Sequence, residues 1–116
     1  MRIENKALRI HLKKYNLNPE EIDCIDITTE ELRFFDEDDT LSVITDSFKE
    51  NSDLSMFTHL QVLGISGQPL NGEIELSDSL EEIVIKDCGP LLIRVGDLEL
   101  KVPSSKEGIW YWKKGA

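Results

Sequence analysis

The sequence predicts an α+β domain, in which an N-terminal helix is followed by a β-rich region of short strands. Residues 3–15 carry apolar side chains at helical spacing, and basic residues fill the other faces of that helix. From residue 60 onward, short apolar-alternating runs recur between Gly, Pro and Asp, which is typical of strands joined by turns. With 116 residues, of which 40% are hydrophobic, the chain has enough apolar material for one core.

A single domain over residues 1–116 is therefore expected, and its three segments differ in character. Residues 1–18 form the basic helix, and residues 19–53 form an acidic segment with a strand and a short helix. Residues 54–116 form a β-rich, repeat-like segment that ends in an aromatic strand.

The acidic segment begins with a strand, which the period-2 alternation of residues 22–29 predicts. The four consecutive acids at positions 36–39 repel one another and predict an exposed loop. Thr40 is then placed to cap a short helix over residues 41–49, and residues 54–57 predict a turn.

Strands fill the remainder of the chain. The predicted strands cover residues 60–65, 73–76, 80–85, 91–95, 98–102 and 109–112. In the last of these, Trp110 and Trp112 share one face and Tyr111 points the other way. This strand is interpreted either as an edge strand that closes the core or as an aromatic anchor for a partner.

The charge is concentrated in blocks. Residues 1–18 carry five basic residues against one acid, and residues 19–87 carry 19 acids against three basic residues. Residues 88–116 carry five basic residues against three acids, and the whole chain has a net charge of −10. The central block is either a solvated face that keeps the protein soluble or a surface that steers a basic partner. Direct binding of DNA or RNA is disfavoured, because phosphate contacts need clustered Lys and Arg.

Several classes of protein are not expected. No apolar run approaches the roughly 20 residues of a membrane span, and no apolar signal segment follows Met1, so we expect a cytoplasmic protein. Cys24 and Cys88 are expected to be reduced and buried. His11 and His59 stand alone, so neither a metal site nor a cofactor is expected.

No catalytic constellation is present, so we do not expect an enzyme. The chain lacks a nucleophile elbow, a phosphate-binding glycine loop and a His-Glu-x-x-His motif. Asp23 and Asp26 are expected to raise the pKa of the Cys24 thiol, which disfavours a nucleophilic thiolate.

Two strand units share one pattern of apolar residues. Residues 60–70 read L-x-x-L-x-I-x-x-Q-x-L, and residues 80–88 read L-x-x-I-x-I-x-x-C with Leu91 three residues later. Residues 22–32 repeat the pattern with Glu30 at the turn position. These units resemble the leucine-rich repeat, which implies a short solenoid with a protein-binding sheet. The alternative is an α+β domain whose strands match the repeat pattern by chance.

In the repeat interpretation, one sheet presents the outward residues of each strand. These are Asp23, Cys24, Asp26, Thr28, Val62, Gly64, Ser66, Glu82, Val84, Lys86, Asp97, Glu99 and Lys101.

In size, charge and lack of catalytic residues, the chain resembles the immunity proteins of bacterial toxin–immunity pairs. This resemblance implies an acidic inhibitor that neutralises a basic toxin, such as a nuclease, by masking its active site. The acids expected to pair with basic residues of the toxin are Asp36, Glu37, Asp38, Asp39, Glu73, Glu75, Glu81 and Glu82.

Three other functions stay open. A leucine-rich-repeat-like adaptor would bind a non-toxin protein through its strand face. A DNA mimic would inhibit a nucleic-acid enzyme, and an enzyme of unrecognised type would be expected to depend on His59. The oligomeric state is also open, because the edge at residues 109–112 can pair with a second copy or with a partner strand.

Overall fold

Ten β-strands in two sheets make up most of the chain that the structure describes. The computed structural model describes residues 12–14, 16–28, 31–36, 40–44, 51–67, 72–106 and 108–115, apart from the side chains of residues 40–44, 51 and 52. The strands are β1 (Cys24–Ile27), β2 (Leu32–Phe35), β3 (Thr40–Ile44), β4 (Asn51–Asp53), β5 (Val62–Ser66), β6 (Gly72–Leu76), β7 (Glu82–Lys86), β8 (Leu91–Val95), β9 (Leu98–Val102) and β10 (Ile109–Lys113).

The strands are divided between a six-stranded sheet and a four-stranded sheet. The first, which we call sheet A, has the order β10-β7-β5-β1-β2-β3, and the second, sheet B, has the order β4-β6-β8-β9. In sheet A, β1, β5 and β7 are parallel, and in sheet B, β4, β6 and β8 are parallel. Antiparallel strands occupy the remaining positions, namely β2, β3, β9 and β10.

The core lies between the two sheets, because each strand turns alternate residues inward. Across sheet A, the parallel register aligns Ile25, Leu63 and Ile83, and all three are fully buried. In sheet B, Ile74 aligns with Ile93, and both are also fully buried. Each such side chain contributes about 1.5–3 kcal/mol by leaving water, so these aligned rows hold the sheets together.

Serine hydroxyls join the corners where the chain passes from sheet B to sheet A. The hydroxyl of Ser77 donates to the Phe57 carbonyl at 3.1 Å, and that of Ser79 donates to the Leu60 carbonyl at 2.8 Å. A tight turn follows β8, where Gly96 has a φ of +59° and a Cβ at that position would lie 2.9 Å from Asp78 Cβ. The same end of the molecule therefore holds closely packed turns from successive parts of the chain.

The predicted α+β class is wrong. Of the predicted helix over residues 3–15, the structure describes residues 12–14, which form a single helical turn. The turn ends where the Asn16 N–H donates to the Lys13 carbonyl and the Leu17 N–H donates to the Leu12 carbonyl. Residues 3–11 and 15 lie outside the described residues. A 3₁₀ turn over Pro19–Glu21, capped by Asn18, is the other helical element that the structure describes. The described architecture is mostly β.

The short helix predicted over residues 41–49 is also wrong, because Thr40–Ile44 form strand β3. Residues 45–50 lie outside the described residues. The neighbouring strand β2, at Leu32–Phe35, was not predicted, and it supplies the antiparallel partner of β3. Pairing between strands outweighs the weak helical spacing of the apolar residues here.

The expected leucine-rich-repeat-like solenoid is wrong as well. The segments that follow β5 and β7 return as strands β6 and β8, so the repeating units build a second sheet. Antiparallel strands β9 and β10 then end the two sheets, and the β2–β3 pair extends sheet A on its other side. The 20-residue offset between β5 and β7 is real, but it belongs to a two-sheet structure.

The strands predicted at 22–29, 60–65, 73–76, 80–85, 91–95, 98–102 and 109–112 are confirmed within a few residues at their ends. Trp110 and Trp112 pack against the core and Tyr111 faces outward, so the predicted facing of the last strand and its edge position are confirmed. The structure contains, in its described parts, no helix with the length and apolar character needed to cross a membrane.

Candidate functional site

One end of the two-sheet structure collects carboxylates from both sheets, and we call it the acidic end. The parallel strands of sheet A begin here and those of sheet B finish here, because residues 77–81 join β6 directly to β7. Its carboxylates belong to Asp23, Asp36, Asp53, Glu75, Asp78, Glu81, Glu82, Asp97 and Glu99, and its basic residues are Arg94, Lys113 and Lys114.

The opposite end, which we call the far end, has a different charge balance. On the strands and their connections it holds four acids against four basic residues, namely Asp26, Glu31, Glu73 and Asp87 against Arg33, Lys86, Lys101 and Lys106. The acidic end holds nine acids against three basic residues. The described sheets and connections are therefore polarised along the strand direction.

Main-chain hydrogen bonds fix the spacing of the acids where sheet A begins. The Asp23 carbonyl accepts from the Gln61 N–H at 2.8 Å, and the Gln61 carbonyl accepts from the Glu81 N–H at 2.8 Å. Asp23 and Glu81 are thus two strand spacings apart, which is about 10 Å. A cationic group placed between them would lie roughly 5 Å from each, which is within the Debye length of about 8 Å in physiological salt, so both carboxylates would attract it.

Sheet B contributes a row of charged residues across its outer face. The strand register aligns Asp53, Glu75, Arg94 and Glu99, so three carboxylates share the row with one guanidinium, and of these carboxylates Asp53 is buried. Arg94 Nη1 lies 3.8 Å from Glu75 Oε1 and 3.7 Å from Glu73 Oε2. These separations exceed those of charge-assisted hydrogen bonds, so this single guanidinium offsets only part of the negative charge.

A cleft opens beside this row, with a volume of about 410 Å³. Its lining residues are Ser55, Glu75, Leu76, Ser77, Asp78, Arg94, Gly96 and Asp97. Three of the lining side chains are carboxylates and one is a guanidinium. At its rim, Lys114 Nζ donates to the Asp78 carbonyl at 2.6 Å, which ties the chain after β10 to this corner. The cleft is open and polar, and its balance of charge suits a cationic side chain.

Glu82, at the start of β7, faces the outer side of sheet A. The hydroxyl of Tyr111 donates to Glu82 Oε2 at 2.8 Å. This hydrogen bond to the carboxylate raises the pKa of the Tyr111 phenol, with smaller contributions from desolvation and from the negative charge of Glu82. The bond holds the Glu82 side chain in place beside the acidic end.

Cys24 lies on the same outer face, next to Val62 in the parallel register. The Cys24 thiol is half-buried, whereas Cys88 is fully buried and donates from Sγ to the Lys86 carbonyl at 3.3 Å, and neither cysteine forms a disulfide. Burial raises the pKa of the Cys24 thiol, and the charges of Asp23 and Asp26 raise it further. The direction predicted from the sequence is confirmed, although complete burial of Cys24 is not.

We expect the alkylation of Cys24 by iodoacetamide to require a higher pH than the alkylation of free cysteine. The raised pKa lowers the thiolate fraction at any given pH, and the thiolate is the nucleophile. Asp23→Asn removes one of the charges that raise the pKa and should shift the pH–rate curve of Cys24 toward lower pH. Peptide mapping separates Cys24 from Cys88. Equal curves for the two proteins would contradict the assigned effect of Asp23.

The acids predicted as contacts fall into separate groups. Asp36, Glu81 and Glu82 lie at the acidic end on sheet A, and Glu75 reaches it from sheet B. Glu73 lies two residues earlier on β6, toward the far end. Glu37, Asp38 and Asp39 lie outside the described residues. The structure thus brings together half of the predicted set.

Five acids of the acidic end were not predicted as contacts. They are Asp23, Asp53, Asp78, Asp97 and Glu99. Asp78 and Asp97 lie in turns, and Asp23 directly precedes a strand. Their position at strand boundaries is the signal in the sequence that sets Asp23 and Asp78 apart, but it does not show that they lie at the same end.

The predicted outward sheet face is found in part. Cys24, Asp26, Val62, Gly64, Ser66, Glu82, Val84 and Lys86 do lie on the outer face of sheet A. Asp97, Glu99 and Lys101 do not, because β9 and the turn before it belong to sheet B. The middle row of the sheet A face carries Val84, Gly64 and Asp26, and an added Cβ on Gly64 would lie 3.0 Å from Asp26 Oδ1.

Within the described residues, no group of three or more His, Cys, Asp or Glu side chains is arranged to hold a metal ion. His59 is exposed in the turn before β5. Comparisons with protein-family models, with curated proteins and with solved structures find no match to this chain. The acidic end, with its cleft, is therefore the candidate site that geometry and charge define.

Proposed function

We propose that this protein is an acidic, protein-binding inhibitor of the immunity type, which neutralises a basic toxin such as a nuclease in the cytoplasm. The observation that carries the proposal is the acidic end, which gathers nine carboxylates from two sheets, one of them the buried Asp53, and only three basic residues. The far end lacks this excess of acids over basic residues, so the negative charge of the described sheets is concentrated at one end.

The chemistry of the partner follows from the charge. A nuclease must hold phosphates, so its active-site cleft carries clustered Lys and Arg. A surface of opposite sign increases the rate of encounter and suppresses wrong partners. An inhibitor seated in such a cleft would mask it by occupancy, without any covalent step.

The cleft beside Arg94 gives this surface a place for an anchoring side chain. Asp78, Glu75 and Asp97 surround it, and a lysine or arginine of the partner would find carboxylates on several sides. Arginine is enriched among the residues that dominate binding energy at protein interfaces. We propose that one basic side chain of the toxin enters this cleft.

The second candidate function is an adaptor that binds a non-toxin protein through the outer face of sheet A. The flat region around Val62, Gly64 and Val84 favours it, because small side chains on a sheet allow close approach of another surface. In that case the acidic end would serve solubility, and binding would depend little on salt.

The test uses the product of the reading frame adjacent to the gene for this chain, together with capture from the native host. We expect the full chain to bind a protein with a basic domain and to inhibit its nuclease activity at a one-to-one ratio. Tight binding without inhibition would favour the adaptor. Capture of acidic proteins alone, or turnover of a substrate by this chain, would contradict the proposal.

A further inference from the structure

Among the described residues that line the cleft at the acidic end, Arg94 alone carries a positive charge. It lies on β8, directly opposite Glu75 of β6, and Glu99 of β9 lies opposite it on the other side. The guanidinium leans toward β6, where its Nη1 lies 3.8 Å from Glu75 Oε1 and 3.7 Å from Glu73 Oε2. A cation of the chain itself therefore lies between two carboxylates of the neighbouring strand.

The contacts of Arg94 with these two carboxylates are loose. Both distances are too long for hydrogen bonds, and the Arg94 side chain is 43% exposed. Ion pairs of this kind contribute little to stability, so a competing cation can displace Arg94 from either carboxylate. Glu75 lines the cleft, whereas Glu73 lies outside it, two residues earlier on the same face of β6. Arg94 can therefore leave Glu75 and keep its ion pair with Glu73.

A basic side chain that enters the cleft competes with Arg94 for the Glu75 carboxylate. An arginine suits this exchange better than a lysine, because a guanidinium donates two parallel hydrogen bonds to one carboxylate. Glu75 is 19% exposed, so a hydrogen-bonded pair at this carboxylate is less weakened by water than a pair on the open surface. The exchange replaces a loose contact within the chain by a close contact with the partner.

We propose that Arg94 occupies the cation position of the cleft in the free protein, and that an arginine of the partner displaces it from Glu75 toward Glu73. Glu73 is then a positioning residue, because it holds the displaced guanidinium away from the cleft. The inference rests on the proposed function, from which it takes the entry of a basic side chain into the cleft. It assigns opposite effects to two residues that form one ion pair: Arg94 opposes binding of the partner's arginine, and Glu73 favours it.

Removal of the Arg94 charge tests the competition. The probe is N-acetyl-arginine amide, titrated into the full chain at constant ionic strength, and the amide NMR signals of Asp78 and Asp97 report on the cleft. Arg94→Gln should bind the probe about threefold to tenfold more tightly than the native chain, because the competing guanidinium is gone. Arg33→Gln is the matched control, since it removes the same charge from an ion pair with Glu31 outside the cleft. The control should change the affinity by less than about twofold.

A double-mutant cycle tests the displacement toward Glu73. Glu73→Gln should weaken binding of the probe at least about fourfold in the native background, because Arg94 then has only Glu75 as its partner on β6. In the Arg94→Gln background the same substitution should weaken binding by less than about twofold, since no guanidinium is left to be held away. Glu73 and Arg94 are both 43% exposed, so neither substitution disturbs the core.

Each failure has a separate meaning. Equal losses from Glu73→Gln in the two backgrounds would show that Glu73 acts only through its own charge, and the displacement would be overturned while the cleft remained a cation site. Equal affinities of the native chain and Arg94→Gln would overturn the competition. If no variant showed saturable binding at the cleft, the inference would fail together with the proposed entry of a basic side chain. Inhibition of the toxin by the native chain, measured separately, tests the proposed function itself.

Discussion

Reversing two charges at the acidic end, with Glu81→Lys and Asp97→Lys together, is expected to slow association with the captured basic partner at least about tenfold at low salt. Both side chains are exposed. Glu81 directly precedes β7 of sheet A, and Asp97 lies in the turn before β9. Because encounter is steered by the summed field, the variant loses attraction before contact forms. Stopped-flow or surface-based kinetics would measure the association rate constant.

The matched control makes the same change in net charge at the far end, through Glu31→Lys and Asp87→Lys, neither of which lines the cleft. If the acidic end steers the partner, this control should slow association by less than about threefold. Both differences should shrink as ionic strength rises toward 1 M, where the screening length falls to about 3 Å. Equal losses for the two variants would show that only the total charge matters, and the acidic end would lose its role as the binding site.

Phe57→Ala is expected to lower the free energy of unfolding by about 3–5 kcal/mol. The ring of Phe57 is fully buried in the corner between β4 and β5, and it stacks on Phe34 with centroids 5.7 Å apart. The truncation leaves a cavity between sheet A and this corner. Since small domains are stable by only about 5–15 kcal/mol, the variant would lose a large part of its stability.

Urea denaturation followed by tryptophan fluorescence measures this loss, because Trp110 and Trp112 both lie on β10. Thr58→Ala is the control, since Thr58 is the next residue and is exposed. Its free energy of unfolding should stay within about 0.5 kcal/mol of the native value. A loss below about 1 kcal/mol for Phe57→Ala would mean that the corner repacks around the cavity.

The strands after residue 60 could be predicted from the sequence because their side chains alternate between core and solvent. Leu63, Ile65, Ile83 and Ile85 all point inward, as the period of two requires. Turn residues such as Gly96 then mark where each strand ends. Local pattern and final structure agree in this region.

The sheet to which each strand belongs could not be predicted, because that choice is made by contacts distant in sequence. Strands β5 and β6 look alike in the sequence, yet they lie in different sheets. Strand β2 shows why elements were missed, since its four residues Leu-Arg-Phe-Phe contain only one polar position. A run of four residues shows no clear alternation of apolar and polar side chains, and its pairing with β1 and β3 is what makes it a strand.

The candidate site was only half predictable for the same reason. The acidic character of the central block is plain in the sequence, but the grouping of Asp23, Asp78 and Asp97 depends on where the corners meet. Glu73 and Glu75 illustrate the difficulty, because two residues along one strand separate the far end from the acidic end. Proximity in sequence was a poor guide to proximity on the surface.

The excess of negative charge at one end, beside a balanced opposite end, gives the described part of the molecule an electric dipole along the strands. In the field of a strongly cationic protein, such a dipole experiences a torque as well as an attraction. The molecule would therefore rotate toward its binding orientation during diffusion, and a larger fraction of collisions would occur with the acidic end facing the partner.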